Sequence, residues 1–333
     1  MGKIKLGIIG SGNIVKSFLD AVREVDSCEI YAFYSRSIDI AKDFQNQYEI
    51  PNIYTDLDKM SQDPELDAIY IASPNALHYS QSIKFLKNKK HVLCEKAFAS
   101  NSKQVTSIIQ TAKDNNVLLM EAMRLTVVPN FLQVKNNLHK IGTIRRYFAS
   151  YCQYSSRYDK YKEGIVLNAF KKELSNGALM DIGVYCIHPM VSLFGKPNKL
   201  IANSQMLESG VDSQGTVVFD YDNMEGTVMY SKISNSSIPS EIQGEKGTIV
   251  IDKINTFNNV KIIYRDGSIE DLTVSQKEND MYYEINEFIN LIKENKKSSN
   301  LNTLENSKLV MDIMDEIRCQ IGLEYPADFE DLI

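Results

Sequence analysis

The chain has 333 residues, 43% of them hydrophobic, which is enough apolar material for about two domains with cores of their own. Its formal net charge is −6 and no dense Lys/Arg block interrupts it, so nucleic acid is not an expected partner. The five cysteines are scattered, odd in number and never spaced C-x-x-C, the pattern of packed, reduced thiols in a cytoplasmic protein rather than of a metal or disulfide framework.

The first apolar run, Ile4 to Ile9, is too short for a signal-peptide core and runs straight into glycines, as a buried first strand does. The Met-Gly start has Leu6 where a myristoylation motif requires Ser or Thr, so neither an anchor nor a membrane is expected. Up to about Glu121, short apolar runs alternate with amphipathic ones. Lys5–Ile9, Glu29–Tyr34, Ala68–Ala72, His91–Cys94 and Val117–Met120 have the composition of strands buried on both faces. Ala76–Asn88, with Ile83 and Leu86 inward, and Lys103–Asn115, with Val105, Ile108, Ile109 and Ala112 inward, are helical patterns. This alternation predicts an α/β domain, residues 1–124, with a doubly wound parallel sheet of Rossmann type.

Past Arg124 the pattern changes. Arg145–Gln153 alternates with period two, and strand-like runs recur from Ile201 to Val274 between turns such as Asp222-Asn223 and Glu245-Lys246-Gly247. A second, α+β domain with a large, mainly antiparallel sheet is therefore expected over residues 125–333. Two helices close the chain, Tyr282–Lys293 and Leu304–Ile321; the second stops at Gly322, and the C-terminal helix is a candidate to pack back on the first domain. A strand-rich face in the second domain predicts self-association, a homodimer or a dimer of dimers.

Strand one ends in Gly10-Ser11-Gly12-Asn13-Ile14-Val15. Gly10 permits a tight turn, Gly12 lets backbone approach a pyrophosphate, and a helix opening near Asn13 presents free N–H groups. The third glycine of the dinucleotide fingerprint is absent, Val15 standing there. At the end of strand two, where an Asp or Glu would bond the ribose 2′-hydroxyl of NAD, the chain has Ser35-Arg36-Ser37. Ser and Arg suit a 2′-phosphate, which favours NADP while leaving NAD possible, and Arg36 can equally stack on adenine without selecting a phosphate.

Three further segments, Ser73-Pro74-Asn75-Ala76-Leu77-His78, Glu95-Lys96-Ala97 and Asp181-Ile182-Gly183-Val184-Tyr185, resemble the Gfo/Idh/MocA oxidoreductases. Asp-x-Gly-x-Tyr is most similar to the branch of dimeric dihydrodiol dehydrogenases and NADP-linked aldose dehydrogenases. The resemblance extends to Met120-Glu121-Ala122 and the closing Tyr325-Pro326-Ala327-Asp328, with two departures: Ala97 where the family has proline after the lysine, and Ser175-Asn176-Gly177 in place of a glycine-richer stretch. It implies hydride exchange between NADP(H) or NAD(H) and the CH–OH or C=O group of a small sugar, polyol or dihydrodiol.

Hydride transfer asks of a protein a position, a proton partner and an electrophile near the carbonyl oxygen. Lys96, just past a strand's carboxyl end, suits the last two roles. Asp181 and Tyr185, four apart, share a helix face and are candidates to converge on a hydroxyl-bearing carbon. His188 falls near the same face and is either a substrate contact or a satisfied core histidine. Ser73, Pro74 and Asn75 are expected around the nicotinamide ribose. His78 either contacts cofactor or caps backbone groups. Glu95 is expected to take a ribose hydroxyl or to orient Lys96. Two alternatives from other classes are an NAD-dependent glycosidase acting by transient oxidation, and a non-enzymatic NAD(P)-binding sensor; the Lys96, Asp181 and Tyr185 set disfavours the sensor.

Overall fold

Apolar runs bounded by glycine or polar turns become the strands. In the computed structural model, which describes residues 2–333, the first part of the chain alternates β1 (Ile4–Ile9), α1 (Asn13–Val22), β2 (Cys28–Tyr34), α2 (Ile38–Tyr48), β3 (Asn52–Tyr54) and α3 (Leu57–Ser61). It continues as β4 (Ala68–Ile71), α4 (Asn75–Lys87), β5 (His91–Glu95), α5 (Ser102–Asp114) and β6 (Leu119–Ala122). Next come α6 (Pro129–Asn137), β7 (Ile144–Cys152), α7 (Tyr158–Lys162), α8 (Val184–Phe194), β8 (Lys199–Met206), β9 (Asp212–Asp220) and β10 (Glu225–Ser231). The last elements are β11 (Ser240–Gly244), β12 (Gly247–Ile251), β13 (Val260–Tyr264), β14 (Ile269–Asp271), α9 (Met281–Lys293) and α10 (Leu304–Ile321).

Two compact units partition these elements. The first comprises Met1–Arg124, Lys277–Ser307 and Asp331–Ile333. Its six strands are parallel and ordered β3-β2-β1-β4-β5-β6, so the winding direction reverses between β1 and β4. In open α/β sheets ligands bind past the carboxyl ends of the strands at such a reversal. β4 is buried at all four positions, as a strand covered on both faces must be. Phe18 of α1 stacks on Tyr70 with ring centroids 3.7 Å apart, and α9 adds Met281, Ile285, Phe288 and Ile289 to the same core. Phe288 is fully buried, so truncating it to alanine is expected to cost about 3–5 kcal/mol. β3 has no counterpart among the sequence-predicted strands: it is a three-residue, half-buried edge strand with too few apolar positions to show a period.

The second unit comprises Leu125–Gln276 and Lys308–Glu330. Its eight strands run β14-β13-β12-β11-β7-β10-β9-β8, antiparallel except for the pair β7 and β10. One face is buried through Tyr147, Val217, Phe219, Val228, Tyr230, Ile242 and Ile249. Against it lies a helical segment that starts as a widened π turn, Leu179–Gly183, and continues as α8. Tyr147 donates its hydroxyl to the Cys186 carbonyl at 2.8 Å and so ties α8 to the sheet. The stretch Lys172–Phe194 is long and apolar enough to cross a membrane by composition, but most of it is buried inside this unit, as a core helix is. Closing Tyr325-Pro326-Ala327-Asp328 acts as a fastener: Arg318 donates to Asp328 at 2.7 Å, and the Tyr325 hydroxyl donates to the Asn176 carbonyl at 2.9 Å.

Candidate active site

In the first unit the turn after β1 separates two kinds of glycine. Gly10 has φ +119°, and a Cβ there would stand 2.4 Å from the Ala72 carbonyl oxygen, so the fold itself requires glycine. A Cβ on Gly12 would meet nothing within 4 Å. Gly12 is the N-cap of α1, no side chain caps that end, and the first turn, beginning Asn13-Ile14, holds no acidic residue. Open space over an uncapped helix start, with Ser11 exposed in the turn, fits an anionic group such as a pyrophosphate.

β2 delivers Ser35, Arg36 and Ser37 at its carboxyl end. The Ser37 hydroxyl accepts from the Ile40 N–H at 3.4 Å as the N-cap of α2, and the Ser35 hydroxyl accepts from the Ser37 N–H at 3.2 Å. Arg36 is exposed, its side chain carried on a turn that its two serine neighbours hold in shape.

Past β4 and β5 the two loops are tied together by His78. Its Nδ1 lies 2.9 Å from the Ala97 carbonyl oxygen and its Nε2 2.8 Å from the Ser73 carbonyl oxygen. Both partners only accept, while burial holds the imidazole pKa below its usual value, so a neutral ring donates to one carbonyl at a time. His78 is 1% exposed, which makes it a support beneath the loops that carry Ser73, Pro74 and Asn75 on one side and Lys96 on the other. The Ser73 hydroxyl donates to Gln81 at 2.7 Å, Asn75 is buried at the start of α4, and the peptide between Lys96 and Ala97 is cis.

Glu95 is buried rather than solvated: the Tyr70 hydroxyl donates to its Oε1 at 2.6 Å. Burial raises its pKa, opposed by the Tyr70 hydrogen bond and by the charges of Lys96 and Arg124. Around it the unit collects groups the sequence reading did not single out. Arg124 pairs through Nε with Asp280 at 3.2 Å, and Glu284 of α9 is fully buried, its pKa pushed well up first by burial and then by the charge of Glu95. A signal for Glu284 existed. It occupies a place in the apolar stripe Met281, Ile285, Phe288, Ile289, where a carboxyl demands a reason.

In the second unit Asp181 sits within the π turn, a distortion that recurs at functional sites, and Tyr185 follows on α8. Tyr185 is 9% exposed and meets Tyr151 edge-on with ring centroids 5.7 Å apart. His188 is fully buried, its Nδ1 3.3 Å from the Ser192 hydroxyl. Beneath the turn, Asp212 accepts from the Leu179 N–H at 2.7 Å; burial pushes its pKa up to about 6. A Cβ on Gly177 would stand 2.1 Å from Asp212 Oδ1, and φ there is +144°, so glycine is what admits this carboxylate. Asp181 is ion-paired with Lys232, a residue the sequence reading missed. Residues 226, 228 and 230 of β10 point inward, and the same alternation carried on places Lys232 inward as well.

Comparison with known proteins agrees with both halves. Residues 4–123 match the family model described as oxidoreductase family, NAD-binding Rossmann fold, and residues 134–250 match the GFO/IDH/MocA C-terminal domain. The chain is 51% identical to scyllo-inositol 2-dehydrogenase (NADP(+)) IolU of Bacillus subtilis, covering 98% of this chain and 99% of that one. It is 30% identical to trans-1,2-dihydrobenzene-1,2-diol dehydrogenase of Xenopus tropicalis over 97% and 99% of the two chains. Among solved structures, the 3-ketoreductase KijD10 of Actinomadura kijaniata with NADP and TDP-benzene superposes with a TM-score of 0.85 at 22% identity, over 96% and 98% of the chains, a likeness of fold.

Proposed function

The chain belongs to the Gfo/Idh/MocA oxidoreductase family, and from that premise we propose that it is an NADP(H)-dependent dehydrogenase of a small cyclic polyol, with scyllo-inositol as the first substrate to try. The observation that carries this is the position of Lys96 directly after the carboxyl end of β5, in the sheet whose β1 turn fits a dinucleotide. Whole-length identity to an NADP-linked scyllo-inositol dehydrogenase supports the substrate class and the cofactor.

When bound, the nicotinamide accepts or supplies the hydride; the chain's residues do the rest. Gly10, Ser11, Gly12, Asn13 and Ile14 hold the pyrophosphate at the start of α1. Ser35 and Arg36 hold the adenosine ribose and its 2′-phosphate. Ser73, Pro74, Asn75 and Glu95 line the nicotinamide end, with His78 fixing their loops. In the first unit the Lys96 ammonium is the group that polarises the substrate oxygen and exchanges its proton; in the second, Asp181 and Tyr185 are the groups that take substrate hydroxyls. Nothing in the geometry favours the glycosidase or the sensor.

The enzyme is further proposed to be a cytoplasmic homodimer. Ile201, 69% exposed, pairs across the second sheet with Val218, 41% exposed, and the same row continues through Thr227 and Phe148. An open row of this kind is a surface for a second copy, and a stable dimer would bury more than about 2,000 Å² there. Light scattering that gives a monomer at micromolar concentration would contradict the dimer. The activity itself is tested with scyllo-inositol, other inositols, aldoses and trans-dihydrodiols against NADP+ and NAD+, read at the nicotinamide absorbance. Turnover of a polyol with NADP+ is the expected result. Tight NADPH binding without turnover of any of them would overturn the assignment.

A further inference from the structure

Lys232 lies one residue past β10 with its side chain 4% exposed. A lysine taken so far from water stays charged only beside a partner, and its ammonium is ion-paired with Asp181. The backbone is pinned from both sides: the Lys232 N–H donates to the Ser213 carbonyl at 2.9 Å, and the Ser155 N–H donates to the Lys232 carbonyl at 2.8 Å. The ammonium also stands 5.6 Å from the centre of the Phe170 ring, a cation–π distance. The cation is therefore fixed in place. Asp181, by contrast, keeps a third of its side-chain surface in solvent, so it is held from its buried side and accessible on the other.

We infer that Lys232 is a positioning residue for Asp181: it keeps the carboxylate ionised and oriented, so that Asp181 acts as a fixed acceptor for a substrate hydroxyl and does not itself carry the proton. The inference deepens the proposed function and rests on its placing Asp181 against substrate. It bears on specificity. A pinned, permanently charged acceptor rewards a ligand with a hydroxyl at that point and penalises one without it, because the carboxylate is then left without its donor. The elements packed about the π turn bring Tyr230 from β10 and Lys232 just past its end, Asp212 from β9, Tyr151 from β7 and Tyr185 from α8. Lys232 is the cation of that set.

The test compares Lys232→Met, Lys232→Arg and Asp181→Asn with wild type, using scyllo-inositol and NADP+. The readouts are the pH profile of kcat/KM, KM and kcat separately, and the Kd for NADPH. Lys232→Met should move the acid limb of the profile up by about one to three pH units, the effect of removing an opposite charge from a carboxylate, and should raise KM more than it lowers kcat. Lys232→Arg should return the limb toward wild type, and NADPH affinity should not change. A folded Lys232→Met enzyme with the wild-type profile and KM, beside an impaired Asp181→Asn, overturns the role of Lys232 alone. Wild-type kinetics in Asp181→Asn instead refutes the placement of Asp181 against substrate, and the inference falls with it. If Lys232→Met does not fold, Lys232→Met/Asp181→Asn, which leaves no charge stranded, must restore folding; failure to do so counts against the pairing.

Discussion

Asp212→Asn offers a quantitative check on the electrostatics under the π turn. Asp212 is fully buried, holds the Leu179 N–H, and has its pKa raised by burial to about 6 from an ordinary 3.8. A carboxyl whose pKa is higher in the folded state binds its proton more tightly there, so its contribution is present below the unfolded pKa and is lost as pH rises through the folded one. At about 1.4 kcal/mol per pKa unit the whole effect is ~3 kcal/mol, of which about 2 kcal/mol falls between about pH 4.5 and about pH 7.5. Asparagine keeps an acceptor oxygen for Leu179 and does not titrate. Other buried groups, such as His91 with its pKa lowered to about 4 by burial, act in the opposite sense across the same range but are common to both proteins and drop out of the difference. Urea unfolding of wild type and variant at both pH values gives that difference directly. Stability of the asparagine variant relative to wild type should rise by about 2 kcal/mol toward the higher pH. A difference independent of pH would show that Asp212 is not a buried, raised carboxyl.

Arg36→Ala should weaken NADPH binding by roughly ten- to a hundred-fold and leave NADH nearly unchanged, as loss of a charge-assisted pair to the 2′-phosphate requires. Nicotinamide fluorescence in this tryptophan-free chain reads the titration, and equal wild-type affinity for the two cofactors would refute the preference. Gly10→Ala and Gly12→Ala should part company. The first meets the Ala72 carbonyl at positive φ and lowers thermal stability, whereas the second meets no atom of the fold and loses cofactor affinity at unchanged Tm. Both variants losing stability alike would contradict the distinction.

How much of this was legible in the sequence depended on how local the cause was. The β1 turn, the ends of β4 and β5, and the change from helix-alternating to strand-rich sequence near residue 125 follow from short-range periodicity and glycine placement, and the strands formed within a residue or two of expectation. Residues whose role is set by distant contacts were not legible in that way. Asp280 and Glu284 lie more than 150 residues past Arg124 in the sequence, yet they join its cluster because α9 belongs to the first unit. His78 was open between cofactor contact and backbone capping; the carbonyls that hold its ring come from the loops after β4 and after β5, 5 and 19 residues away in sequence. Glu95 was expected to take a ribose hydroxyl or to orient Lys96, but its burial and its bond from the Tyr70 hydroxyl on the neighbouring strand, 25 residues away in sequence, could not be read locally. Lys232 was readable in principle from the alternation of β10, but its meaning depended on Asp181, 51 residues earlier.

The central claim, that Lys96 serves the hydride step of a polyol dehydrogenase, is tested most directly by Lys96→Met with scyllo-inositol and NADP+ in stopped flow. Methionine keeps much of the stem's packing and removes the ammonium. The account predicts a hydride-transfer rate lower by at least about a hundred-fold, ~2.7 kcal/mol in the barrier, with NADPH affinity within about two-fold of wild type. A folded Lys96→Met protein that transfers hydride at the wild-type rate would contradict it.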